Sequence, residues 1–156
     1  MSQRRINAEQ SVSEARQILD DLSRNETVRQ MCRYRQHGGV STFDHCRNVA
    51  GMSLRMNRRF HLHSDEAALV RGAMLHDFYL YDWHMPDPSH RLHGFCHPER
   101  AARNDVSYFN AGVKEQQIIR SHMWPLTLTK IPRCREAWIV CLADKCCAVT
   151  ETLFRK

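Results

Sequence analysis

The sequence is short of the residues that punctuate β structure. It has six glycines and five prolines in 156 residues and almost no alternation of β-branched residues, so it lacks the turn chemistry of a sandwich or a barrel. No uninterrupted apolar run, that through Trp138 to Ala143 included, approaches the roughly 18 residues that a spanning helix needs, and no membrane is expected as a partner. Arg4 and Arg5 are not followed by an apolar stretch, so a secretory signal is not expected and a cytoplasmic protein is. The seven cysteines (Cys32, Cys46, Cys96, Cys134, Cys141, Cys146 and Cys147) are odd in number and include no Cys-x-x-Cys pair. That excludes a disulfide framework and a zinc finger, and predicts reduced, mostly buried thiols. Acidic residues are also in deficit, 17 against 23 basic ones of which 19 are arginine, for a net charge of +6. The excess favours anionic partners. The basic residues come in ones and twos without aromatic interleaving or a nucleic-acid motif, so a small phosphate-bearing ligand is expected before nucleic acid.

What is present is an ordinary globular composition, 42% hydrophobic and 26% charged, at a length that suits one domain. A chain of this size buries roughly 70% of its unfolded surface and forms a core without disulfides. Apolar residues recur at spacings of three and four through most of the chain, which predicts an all-α fold. Ala8, Val12, Ala15, Ile18, Leu19 and Leu22 give residues 7–24 one apolar face, and a shorter helix follows over 26–35. Gly38-Gly39 breaks it. Ser41 with Asp44 three residues on predicts a capped helix to about Phe60, and Ser64 with Asp65 and Glu66 predicts another to about Leu80. Residues 81–96 read as a long loop, and Pro98 as the first residue of a helix to about Asn110, with His97 at its cap. Further helices are expected over 113–123 and 134–154; the centre of the last is apolar all round, which predicts a helix crossing the core.

Ten histidines are the compositional oddity. His45 shares a helix face with Val49 and Met52, and His76 and Asp77 fall on one strip with Leu69 and Ala73. Asp144 sits within the apolar last helix, and His122 shares the apolar side of its helix with Ile118 and Ile119. Two buried aspartates and several inward histidines on separate helices would be costly to bury together without a shared cation. Imidazole and carboxylate without convergent thiolates suit zinc, iron, manganese or nickel.

His45, then His76-Asp77, then Asp144, spaced by about thirty and about sixty-seven residues, resembles the HD-domain metal-dependent phosphohydrolase superfamily. The resemblance covers roughly residues 37–150. His97-Pro98 followed by Glu-Arg-Ala-Ala, and Ile118-Ile119-x-x-His122, resemble the segments that supply second-metal ligands in dinuclear members. It implies an all-α, compact HD-type helical bundle over 37–156, with residues 1–36 as an N-terminal helical extension packed on it within one structural domain. It further implies one or two divalent transition metals. His45, His76, Asp77 and Asp144 would hold the first, and Asp77 would bridge to a second held by His97 and His122. His76-Asp77 is followed by Phe78-Tyr79-Leu80 where cyclic-nucleotide-cleaving members read Ile-Gly-Lys, His122 is followed by Met123 rather than a second histidine, and no Gly-Tyr-Pro signature is present. A cyclic dinucleotide is therefore not assigned as substrate. The stretch Leu75 to His84, with Leu92-His93-Gly94-Phe95, resembles a bacterial subgroup described only as hydrolases.

The chemistry so implied is hydrolysis of a phosphate ester, a nucleotide being one candidate, by a metal-activated water, with Asp77 as the catalytic carboxylate. His93, Arg100 and Lys145 are the candidates for phosphate contact or leaving-group protonation. Two other readings share the ligand set: a di-iron HD-fold oxygenase, and a non-catalytic metal- or ligand-binding regulatory module. A homo-oligomer is compatible with each.

Overall fold

Side-chain caps fix where the helices begin. The structure, a computed structural model, describes residues 3–88 and 91–154, with side chains from Glu9 onward; the side chain of Ala8 and the whole of His90 lie outside them. In chain order the helices are α1 (Gln3–Arg24), α2 (Glu26–Arg29) continued by a 3-10 turn (Gln30–Arg33), α3 (Thr42–Arg59), α4 (Glu66–Leu75), α5 (His93–Phe109), α6 (Val113–Ser121) and α7 (Arg135–Phe154). No strand occurs among the described residues, so the all-α reading holds. Asn25 accepts from the main-chain N–H groups of Thr27 and Val28 at the start of α2, and Ser41 accepts from that of Asp44 at the start of α3. The cap of α4 is Asp65 rather than the expected Ser64. The main-chain N–H of Ser64 is engaged by Asn57, and the Asp65 carboxylate accepts from Ala68 N–H at 3.1 Å.

Two of the boundaries that differ from the sequence reading lie at the site. α4 ends at Leu75, not near Leu80, because the next residues find other partners. His76 Nδ1 takes the Ala73 carbonyl, Asn104 takes the Phe78 carbonyl, and Leu80 turns away with φ of 58°. Burial of Phe78 and Tyr79 outweighs another helical turn. α5 begins at His93, so Pro98 lies inside it and His97 is a full turn into the helix instead of at its cap. The missing proline N–H lies beyond the free amides of the first turn and withholds the usual donor from the Gly94 carbonyl.

α4 is the centre of the molecule, packed by α1, α3, α6 and α7, with Leu69, Val70, Ala73, Met74 and Leu75 wholly buried. Gly72 lets α6 approach: a Cβ there would meet the Ile118 side chain at 2.7 Å. α1 lays Ala15 and Leu22 into the core. α7 does not run through the core as expected. It lies against the other helices on one side, while Trp138, Leu142, Val149 and Leu153 face outward. The thiols are all free, but Cys32, Cys96 and Cys146 are exposed, so burial holds for only part of the set. No helix among the described residues is long and apolar enough to cross a membrane.

Candidate metal centre

The ends and inner faces of five helices deliver six side chains to one point. His45 comes from the first turn of α3, His76 and Asp77 from just beyond α4, His97 from the second turn of α5, His122 from the end of α6 and Asp144 from the middle of α7. All six are buried. Asp77 is central. Its Oδ1 lies 3.1 Å from His97 Nε2 and 3.5 Å from His122 Nε2, while its Oδ2 lies 3.4 Å from His76 Nε2 and 4.0 Å from His45 Nε2. Asp144 Oδ1 sits 3.0 Å from His45 Nε2 and 3.7 Å from His76 Nε2.

Each imidazole is oriented by its other nitrogen. His76, His97 and His122 donate Nδ1–H to the carbonyls of Ala73, His93 and Ile119, each at 2.7 Å. His45 donates Nδ1–H to Glu151 Oε2, also at 2.7 Å. All four Nε2 atoms therefore turn inward, the second-contact arrangement that fixes the tautomer of metal-ligating histidines. His76 Nε2 and Asp77 Oδ1 are buried without a hydrogen-bond partner, a costly state that a cation relieves. Three sets of ligand atoms lie within 4.8 Å of one another: His45, His76 and Asp77; His76, His122 and Asp144; Asp77, His97 and His122. A cation held at about 2.1 Å from its ligands sets them about 3.0–3.4 Å apart, and the closest pairs here match that spacing. The residues fit a divalent ion.

The electrostatics agree. Burial opposes charge on His45, but the hydrogen bonds to Asp144 and Glu151 override it and lift the imidazole to about 10. Burial likewise opposes charge on His76, and the neighbouring carboxylates hold its pKa well above the ordinary value. Asp77 and Asp144 are held low against their own burial by the surrounding histidines. Burial lowers His122. Carboxylate charge in the cluster is thus balanced by positive charge, which protons supply in the absence of a cation.

The cluster floors a cavity of about 440 Å³. Lys145 lines it, its Nζ donating to the His122 carbonyl at 2.9 Å. His93 also lines it, bonded to the Tyr81 hydroxyl and stacked between Trp83 and His97. Arg100 does not line it. Its guanidinium lies over the Tyr81 ring, 5.0 Å from the centroid. Met123, Pro125 and Leu126 make the rim apolar.

Sequence reasoning missed three contributors. Gln36 donates to Asp77 Oδ2 at 2.5 Å and is itself oriented by the Tyr79 hydroxyl on its carbonyl oxygen. His37 lies edge-on to His45, ring centroids 5.2 Å apart, and lines the cavity. Glu151 orients His45. Of these only Glu151 had a signal: it follows Asp144 by seven residues and therefore shares its helix face. Gln36 and His37 are placed by a tight turn in which Gly38 takes φ of 57° and Gln36 pairs with Val40, which no side-chain period announces.

A model of the HD domain matches residues 42–149, from the start of α3 to near the end of α7. No curated protein and no solved structure gives a significant match to the chain. The matched span contains all six converging side chains and most of the helices that carry them, and the chain belongs to the HD-domain family, within the metal-dependent phosphohydrolase superfamily.

Proposed function

We propose that this protein is a metal-dependent phosphohydrolase that cleaves a phosphate ester, with His45, His76, Asp77, His97, His122 and Asp144 holding one or two divalent transition metals among iron, manganese, nickel and zinc. The observation that carries this reading is the inward turn of four Nε2 atoms around Asp77 at the floor of a cavity sized for a small molecule. When bound, a divalent ion there polarises a phosphoryl oxygen and brings the pKa of water towards roughly 7.

The chain's own residues do the rest. Asp77 presents one carboxylate oxygen to each half of the cluster, so the bridging role fits its position. Gln36 holds Oδ2 by its amide and limits rotation of the carboxylate. Lys145 stands at the wall with its ammonium on main-chain carbonyls, from which a rotamer change would turn it onto a phosphoryl oxygen. His93, which lines the cavity, would give a proton to the departing ester oxygen as water adds to phosphorus. The rim of Met123, Pro125 and Leu126 with Trp83 favours an ester whose leaving group is flat or apolar, a nucleoside among them.

Metal analysis of the purified protein, followed by a phosphomonoester and phosphodiester screen with manganese, nickel or zinc, tests the reading. Metal-dependent phosphate release is expected, abolished with metal binding in Asp77→Ala and retained in His84→Ala, whose ring lies outside the cluster on Asp82. Equal metal content in the two variants would refute the ligand assignment. Iron-dependent oxygen consumption without phosphate release would move the same ligand set to oxygenase chemistry, and ligand binding without either would make it a regulatory module.

A further inference from the structure

The side of α7 turned away from the metal centre consists of Trp138, Leu142, Cys146, Val149 and Leu153, all exposed. They are spaced by four, four, three and four residues. That repeat, near 3.67 residues per turn, keeps a straight stripe along the helix instead of letting it drift around. No charged side chain is exposed on α7 between Arg135 and Phe154. Glu136, Asp144 and Glu151 are buried, and Lys145 is half-buried against the His122 carbonyl. In a chain that is 26% charged, a solvent-facing helix surface ordinarily carries charge, so this one is built to be covered.

Its size suits a partner. Trp138 is 38% exposed, Leu142 49%, Val149 58%, Leu153 62% and the adjoining Phe154 78%. With Cys146 and Thr150 they present roughly 600 Å², at the top of the range for patches on monomers and approaching the roughly 800 Å² each partner gives to a stable interface. Nothing on the stripe selects a charged partner. Its ridges have the spacing of a helix and fit the grooves of another helix of the same kind. The smallest side chain, Cys146, lies midway between the bulky ends Trp138 and Leu153, so the surface is complementary to itself about its own centre, as an isologous contact requires.

We infer that α7 is a self-association surface, on which two copies of this chain pack α7 against α7 about a twofold axis passing beside Cys146. No stripe residue lines the cavity, so the pairing leaves the metal centre open. It also fixes the helix that carries Asp144 and Glu151.

Light scattering on the full chain over a wide concentration range is expected to give twice the chain mass. Leu142→Glu with Val149→Glu is expected to weaken association by about a hundredfold or more and yield a monomer with unchanged helicity and metal uptake. A second measurement leaves the apolar stripe intact. In a Cys32→Ser, Cys96→Ser background, which removes the other exposed thiols, a short bismaleimide should join two chains, and adding Cys146→Ser should stop it. A monomer at every concentration would overturn the inference. So would a dimer that survives the double glutamate substitution, or crosslinks that persist without Cys146.

Discussion

The Nε2 atoms of His97 and His122 stand 2.9 Å apart although each ring gives its Nδ1 proton to a main-chain carbonyl. Two neutral imidazoles so committed aim lone pairs at each other and at Asp77 Oδ1. Either a proton or a cation must lie among them. Burial disfavours the proton on His122, and a cation among these atoms would relieve the contact without it.

Chelation should therefore lower the melting temperature, and adding manganese, nickel or zinc should restore it in proportion to the logarithm of metal concentration. An ion at a hundred times its dissociation constant stabilises by about 2.7 kcal/mol. His122→Ala should blunt this response. A melting curve indifferent to chelator and metal alike would show that protons alone satisfy the cluster.

The Glu151 carboxylate raises the basicity of His45 through the 2.7 Å contact and is itself held by Asn48 Nδ2 at 2.8 Å. Removing such an outer partner typically costs ten- to a hundredfold in metal affinity. Glu151→Gln, which keeps an acceptor but loses the charge, should fall near the lower end, and Glu151→Ala near the upper. Competition titration against a chromophoric chelator measures both, with far-UV circular dichroism as the control for folding. Affinities equal to the parent would confine Glu151 to packing.

How much of this was legible in the sequence depends on the kind of signal each residue leaves. His45, His76, Asp77, His122 and Asp144 each interrupt an apolar helical stripe, so periodicity alone exposed them as inward polar groups. The exact end of α4 was not legible, because side-chain and main-chain bonds from Asn104 and Ala73, distant or local, decide it after the core has formed. The start of α5 was misplaced because proline at the first helical position is a preference, and the turn ahead of Pro98 is held by His93, bonded to Tyr81 and stacked on Trp83, and by the buried His97. Gln36 reaches Asp77, and Tyr79 reaches Gln36, across about forty residues of chain, and hydrogen bonds of that range have no local pattern to betray them. α7 misled for the opposite reason. Its stripe is apolar without being buried.

The close crossing of α4 and α6 at Gly72 sets how deeply Ile118, and with it the His122 end of α6, approaches the centre. Gly72→Ala places a methyl 2.7 Å from Ile118 and should destabilise by about 1–3 kcal/mol, because helix propensity gains less than overpacking costs. Pairing it with Ile118→Val should recover part of the loss. Additive losses in urea denaturation would mean that the two positions do not compete for the same space.

Asp105 in α5 is 1% exposed, and neither carboxylate oxygen has a hydrogen-bond partner. Burial, with the negative charge of Glu115 added, pushes its pKa up to about 7 against the partial relief of Arg71, which is itself engaged by Glu115 at 2.6 Å. A carboxyl whose folded pKa is raised holds its proton in the folded chain where the unfolded chain has released it. Its contribution is therefore fully present below the unfolded value of about 3.9 and is lost as pH rises through about 7. Asp105→Asn stays neutral throughout, so its stability relative to the parent should climb between about pH 4 and pH 7 and then level. The gain is set by the displacement of the pKa, about 1.4 kcal/mol for each pH unit, and should reach on the order of 4 kcal/mol. Chemical denaturation of both proteins at several pH values measures the difference directly, with every other titration cancelling. A difference that stays constant across that range would mean that Asp105 remains charged in the folded protein and is solvated or paired there.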